Sequence, residues 1–185
     1  LRQEGRHEQA VAQYLEVLRV EPMREDCYQL AWQCTDTMDN QQAEPLDGGK
    51  VKLVVRPVAA PEDATFPYEG DDPTLVEAVK PTRFLQSDRQ EIVDLARKAI
   101  GNTKDAAEAI RRIEAFVADY IDDKSLSVGY ASAAEVAASR QGDCSEFAVL
   151  SAAMCRAVGI PAQVVVGVAY VEDFAGHEGF GGHAW

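Results

Sequence analysis

With 185 residues, 46% of them hydrophobic, the chain has room for one domain of ordinary size and an appendage. Its formal charge of −13 and pI near 4.6 argue against nucleic acid or an anionic membrane as partners, and no apolar run approaches the ~20 residues of a membrane span. The four cysteines, Cys27, Cys34, Cys144 and Cys155, include no Cys-x-x-Cys pair, which argues against a disulfide framework or a zinc site of the usual spacing.

The chain begins at Leu1 and ends inside a motif, two residues past a histidine, so it is expected to be a piece of a longer protein whose targeting signals are out of view. From Leu1 to Glu21 the spacing is that of an amphipathic helix, with Ala10, Tyr14, Val17 and Leu18 on one side. Glu25 to Thr35, with Tyr28, Ala31 and Trp32, reads as the next helix, and Cys27 and Cys34 are expected to pack between the two. Gly5, Ala10, Tyr14, Leu18 and Pro22 resemble the second helix of a tetratricopeptide repeat, although the likeness covers half a repeat and Trp32 stands where that family has a small residue. Residues 1–40 are therefore either the tail of a repeat array, which implies a protein partner, or an unrelated helical pair.

Residues 41–80 read as a linker. Thr35 to Gly49 is polar and closes on Leu46-Asp47-Gly48-Gly49, a turn signal. Lys50 to Val58 alternates, Val51, Leu53 and Val55 against Lys52, Val54 and Arg56, which predicts one short strand stopped by Pro57. Ala59 to Pro81 sets Pro61, Pro67, Pro73 and Pro81 among acidic residues and is expected to run extended over the surface, with a turn of helix at residues 74–79.

Residues 81–185 are expected to form the main domain. Ser87 or Asp88 caps a predicted helix to Ile100, with Ile92, Leu95, Ala96 and Ala99 inward and Gly101-Asn102 closing it. Thr103 or Asp105 opens a second, in which Ala106, Ile110, Ile113, Val117 and Tyr120 recur with helical period. After a loop over residues 122–130, Ser132 and Glu135 form a capping box for a short helix ending near Ser139.

Arg140 to Pro161 then reads RQGDCSEFAVLSAAMCRAVGIP. Gly142 and Asp143 break the chain, Asp143 and Glu146 make an Asp-x-x-Glu capping box, and Cys144 takes the first helical position. Phe147, Leu150, Met154, Ala157 and Val158 give the helix one apolar face, Cys155 is expected in the core, and Gly159 with Pro161 stops it. A thiol at a helix N-terminus meets the positive end of the dipole and several unpaired N–H groups, both favouring thiolate. Asp143 and Glu146 push the other way, so a basic partner is required.

That partner is His7, His177 or His183. His7 falls on the solvent side of a helix and His177 among glycines, whereas His183 opens a strand-like His183-Ala184-Trp185, and a general base needs a rigid platform. The β-branched run Ala162 to Tyr170 predicts a strand, and a loop punctuated by Gly176, Gly179, Gly181 and Gly182 turns the chain into an antiparallel return that carries His183 back towards the helix start. A zinc grouping of His177 and His183 with Glu172 and Asp173 has no defined spacing and ranks below a polar hairpin loop. No metal and no cofactor is expected.

The order GDCSEF, an apolar helix, GIPAQVVVGVAY, a Gly-rich loop and GGHAW, preceded by two helices, a loop and a short helix, resembles the catalytic core of the transglutaminase-like superfamily over roughly Pro81 to Trp185. The resemblance implies an α+β fold related to papain-like cysteine peptidases, with helices, a Cys at a helix N-terminus and an antiparallel sheet. It implies Cys144 as nucleophile, His183 as general base, and thiol-dependent acyl transfer on a peptide or protein substrate. Hydrolysis is preferred over transglutaminase-type amine transfer, because the likeness is to the superfamily at large. The alternative of another class is an inactive scaffold that binds protein partners. The family's third member, an Asp on the strand after the His, has no match before Trp185; Glu172 and Asp173 are substitutes by proximity alone, and the chain as given is expected to be a weak catalyst or none.

Overall fold

The computed structural model describes residues 41–45, 47, 51–56, 63–124, 129–174 and 177–185. The expected N-terminal helices, with His7, Cys27 and Cys34, lie outside the described residues. The chain divides into two compact units, Leu1–Ala59 with Val166–His183, and Ala60–Val165 with Ala184–Trp185. No helix among the described residues is long and apolar enough to cross a membrane.

The described residues of the first unit include two hairpins. In one, β1 (Gln41–Pro45) pairs antiparallel with β2 (Val51–Val55), Gln41 opposite Val55 and Pro45 opposite Val51. Lys52 reaches Glu44 across the pair at 3.2 Å, an exposed contact worth about 0–1 kcal/mol. β2 is the strand that the alternation predicts. β1 falls in the stretch read as a polar linker, because Gln41-Gln42-Ala43-Glu44 carries no β-branched residue and takes its conformation from the ladder with β2. In the other hairpin, β3 (Val166–Phe174) pairs with β4 (His177–Ala184); a connection of two residues requires antiparallel strands.

The second unit is helical. Asp72 opens α1 (Pro73–Glu77), its Oδ1 accepting the Thr74 N–H at 2.8 Å. Then follow α2 (Gln90–Ile100), α3 (Ala106–Tyr120), α4 (Ala133–Ser139) and α5 (Cys144–Ala157). α5 packs against α2, α3 and α4. Ile92, Ile113, Val117, Val136, Leu150 and Met154 are each less than 2% exposed between them, and burying such a side chain stabilises by roughly 1.5–3 kcal/mol. Because helices surround it, α5 is buried on nearly every side and not along one face: Ala148, Val149, Ala152 and Ala153 join Leu150 and Met154. The small alanines let neighbouring backbones approach, which a reading of large apolar residues alone overlooks.

Two further expectations change. In α3 the inward stripe is Ala109, Ile113 and Val117, continued by Ile121, while Ile110 is 44% exposed. Residues 109 and 110 are both apolar, and periodicity alone does not choose between two adjacent faces. The acidic stretch before α1 is also sewn into the helical unit: Phe66 is buried, Ala106 N–H donates to Ala64 O at 2.8 Å, and Tyr68 N–H donates to Gly159 O at 2.8 Å.

α5 ends in a Schellman motif, with Ile160 N–H donating to Cys155 O and Gly159 N–H to Arg156 O, both at 2.9 Å. Gly159 adopts φ +85°, and a Cβ there would press into the Pro67 ring. Beyond it the predicted strand starts four residues late, at Val166, because Ala162 bonds elsewhere: its N–H donates to Ala78 O at 3.0 Å and its carbonyl accepts Arg156 Nε at 2.7 Å. Within the second unit Val165 and Trp185 exchange both backbone hydrogen bonds, at 2.9 and 2.8 Å, as an antiparallel pair.

Candidate active site

The chain reaches Cys144 through a loop tied to the end of α3. Asp122 and Asp123 N–H donate to Arg140 O at 3.2 and 3.3 Å, Gly142 N–H donates to Asp123 O at 3.0 Å, and Gln141 Nε2 donates to Asp123 Oδ2 at 2.8 Å. Arg140, left-handed at φ +58°, donates from Nε to Tyr120 O at 2.9 Å, pairs with Asp122 at 2.8 Å and lies over the Tyr120 ring. The residues before the thiol are thus fixed from outside α5.

Asp143 is the N-cap, its carboxylate accepting the Ser145 N–H at 3.0 Å. Glu146 closes the predicted capping box, Oε2 accepting the Asp143 N–H at 3.1 Å, and extends beyond it: Oε1 accepts the Ala131 N–H, also at 3.1 Å. The side chain is wholly buried, at 0% exposure, so one carboxylate joins the loop before α4 to the start of α5. Gly142 lies directly against it. With φ +156° and a notional Cβ that would collide with Glu146 Cβ and Cγ, position 142 excludes any side chain.

Cys144 is a free thiol, half-buried, at the first position of α5. Fewer N–H groups are open there than the sequence suggests. Ser145 N–H is taken by the Asp143 carboxylate and Phe147 N–H by Asp143 O, while the Cys144 N–H has no partner among the described residues. Cys155 is the inert counterpart that its place on the helix predicts: burial pushes its thiol up to about 11.

Tyr130, read from the sequence only as the end of a loop, belongs to these surroundings. It has φ +43°, and its ring meets Phe84 edge-on at 6.2 Å and 69°. Burial first, and then the negative charges of Glu146 and Cys144, raise its phenol above the ordinary value, so the O–H stays protonated. Tyr130, Ala131, Glu135, Ala138, Ser139 and Gln141, with Gly129, line an open cleft of about 570 Å³. Glu135 stays ionised at its edge, its carboxylate held below the usual range by the Ser132 hydroxyl at 2.6 Å and backbone N–H at 2.8 Å.

Arg156 is a second residue that its neighbours in the sequence do not single out. At 9% exposure it sits in a run of small apolar residues, donating from Nε to Ala162 O at 2.7 Å and from Nη1 to Lys80 O at 2.6 Å. Burial lowers its pKa, countered by the charge of Glu77.

His183 lies on β4, half-buried, the last residue of the first unit and directly before Ala184, which is 6% exposed in the second. The expected pair is thus divided between the units, Cys144 in the second and His183 in the first. The side chains of Glu172, Asp173 and His177 lie outside the described residues. Among those described, no group of three or more His, Cys, Asp and Glu is placed to hold a metal ion.

The family model described as "Transglutaminase-like superfamily" matches residues 93–185, half of the chain. The chain belongs to the transglutaminase-like superfamily. A crystal structure described as that of a candidate cysteine protease from Cytophaga hutchinsonii is similar to it, with a TM-score of 0.52 and 27% sequence identity. The alignment covers 65% of this chain and 39% of that one. The search of curated proteins found no match. The α+β architecture implied by the sequence motifs, a papain-like, transglutaminase-like core, is the one found. Membership in the superfamily and likeness to a candidate cysteine protease place the chain in a general family of cysteine enzymes.

Proposed function

We propose that this transglutaminase-like chain catalyses, weakly in the form given because no acid that orients His183 is identified, acyl transfer from peptide or amide substrates through Cys144, with His183 as general base and water as the acceptor. The observation that carries the reading is the half-buried free thiol at the first position of α5, beside its own N–H, which has no partner among the described residues, and inside the family match. The helix dipole favours thiolate, the neighbouring carboxylates of Asp143 and Glu146 oppose it, and an imidazolium at His183 supplies the missing positive charge.

In the first half-reaction His183 takes the thiol proton, and the sulfur lone pair forms an S–C bond to the carbonyl carbon. The carbonyl π pair moves onto oxygen, where the Cys144 N–H donates to the new anion. Collapse breaks the C–N bond, the departing nitrogen takes the proton from His183, and a thioester remains on Cys144. Water, deprotonated by His183, then attacks the thioester, releasing the acid and regenerating the thiol. A primary amine in place of water would give a crosslink. Water is favoured because the likeness is to the superfamily at large and the similar structure is described as a candidate protease.

Incubating the protein with a glutamine-containing peptide and a labelled primary amine, following hydrolysis and amine incorporation together, tests this. Hydrolysis lost in both Cys144→Ala and His183→Ala supports the reading. Amine incorporation without comparable hydrolysis overturns the choice of water, turnover surviving in Cys144→Ala overturns the site, and a Cys144 thiol of ordinary reactivity, unchanged in His183→Ala, overturns the thiol–imidazole pair in favour of an inactive scaffold.

A further inference from the structure

We propose that the cleft of the helical unit binds an arginine side chain of the peptide substrate, with Glu135 as the residue that selects it; the proposal deepens the thiol reading above by naming a feature of its substrate. Position, charge and lining chemistry each point to that occupant.

The chain itself keeps the cleft close to the thiol. Gln141 forms part of its wall and stands three residues before Cys144, so the two Cα atoms are at most about 11 Å apart. Ala131, another wall residue, donates its N–H to Glu146, whose other carboxylate oxygen binds the Asp143 N–H at the start of α5. A peptide with its reacting carbonyl at Cys144 therefore reaches the cleft with a side chain only a few positions away. At about 570 Å³ the cleft has the size of a small-ligand site.

Its charge is negative and uncompensated. No Lys, Arg or His lines it, and Glu135 is its one carboxylate. Glu135 Oε2 accepts both Ser132 bonds, from Oγ at 2.6 Å and from the N–H at 2.8 Å, whereas Oε1 has no hydrogen bond and no ion pair among the described residues. The two Ser132 bonds favour the ionised carboxylate and hold it in one orientation, which lowers the entropy cost of pairing with an incoming cation. Gln141 adds a second open acceptor: its Nε2 is committed to Asp123 Oδ2 at 2.8 Å, and its side-chain oxygen has no partner among the described residues.

The rest of the lining favours a guanidinium over an ammonium. The Tyr130 ring is a wall of the cleft and is 49% exposed, so its aromatic surface is open to a planar cation. Several N–H groups in one plane can reach Glu135 Oε1 and the Gln141 oxygen together, which a single ammonium does less well. The methyl groups of Ala131 and Ala138 give the aliphatic stem an apolar surface. The chain's own Arg83 lies over Phe84, Cζ at 5.5 Å from the ring centroid, and leaves the cleft free.

Citrulline has the shape of arginine without its charge, and it supplies the test. Blocked glutamine peptides carry one arginine, one to four positions to either side of the glutamine, each with a citrulline twin, and binding to the Cys144→Ala protein is measured by titration calorimetry. At one position or more the arginine peptide is expected to bind about 5–20-fold tighter than its twin at low ionic strength. The ratio should fall to within about twofold in Glu135→Gln, a change that a capping box tolerates, and should shrink in the protein with Glu135 intact as salt rises from about 0.02 to 0.5 M. Equal binding of the twins at every position overturns the proposal, as does a preference that survives Glu135→Gln or is indifferent to salt. Failure of the thiol reading shows separately, as turnover of these peptides by Cys144→Ala, since the binding ratio needs no thiol.

Discussion

Replacing Glu146 by Gln tests how the thiol is held in place. The wild-type carboxylate accepts two backbone N–H bonds at 3.1 Å, from Asp143 and from Ala131, at zero exposure. Gln keeps the shape but offers one acceptor oxygen, so one N–H must face the NH₂ group. The surviving bond becomes neutral. Hydrogen bonds to charged groups contribute about 1.5–3 kcal/mol, and a buried donor left unpaired costs about 1–3 kcal/mol, so a loss of about 2–4 kcal/mol is expected. Glu146→Ala should cost more, because both N–H groups lose their acceptor and a cavity opens. Urea unfolding at neutral pH measures the change as a shift in midpoint at constant slope. A Glu146→Gln protein within about 0.5 kcal/mol of wild type would refute the assignment of Glu146 as the tie between the Tyr130 loop and the cap of α5.

Three other outcomes follow from the same geometry. Gly142→Ala should lose about 2–5 kcal/mol, from overpacking against Glu146 and an unfavourable φ of +156°, seen as a lowered urea midpoint. Arg156→Lys should lose one of the two carbonyl bonds, to Lys80 O or Ala162 O, and lower Tm by about 4–10 °C in calorimetry. The Cys155 thiol is raised by burial to about 11, so above the ordinary thiol value the unfolded chain releases its proton while the folded chain keeps it. That linkage removes stability as pH rises towards 11, by about 2–3 kcal/mol, and unfolding at alkaline pH should show a shallower decline in Cys155→Ala than in wild type.

The parts of the fold legible in the sequence are those fixed within a few residues. The capping boxes Ser132–Glu135 and Asp143–Glu146 lie where the residue types put them, as do the Asp105 cap and the Gly159 stop, whereas α2 starts after Arg89 and not at the expected Ser87 or Asp88 cap. What escaped reading depends on distant partners. The second hydrogen bond of Glu146 goes to Ala131, fifteen positions away, and the guanidinium of Arg156 reaches Lys80, seventy-six positions away. Ala162 sits in a β-branched run yet bonds to Ala78 and Arg156, which delays the strand. β1 has a ladder without a β-forming sequence. The thiol was legible from its place after Gly142-Asp143, whereas Tyr130 carried no local signal, since only the Glu146 bridge brings its loop to the start of α5.

The central claim is that imidazole at His183 activates sulfur at Cys144. Peptide-resolved alkylation of Cys144 by iodoacetamide, measured from about pH 5 to 9 in wild type and His183→Ala, tests it most directly. The account predicts fast alkylation near pH 6 in the wild-type protein, falling in His183→Ala to the rate of a free thiol. Equal profiles in the two proteins, both rising only near the ordinary thiol pKa, would contradict it.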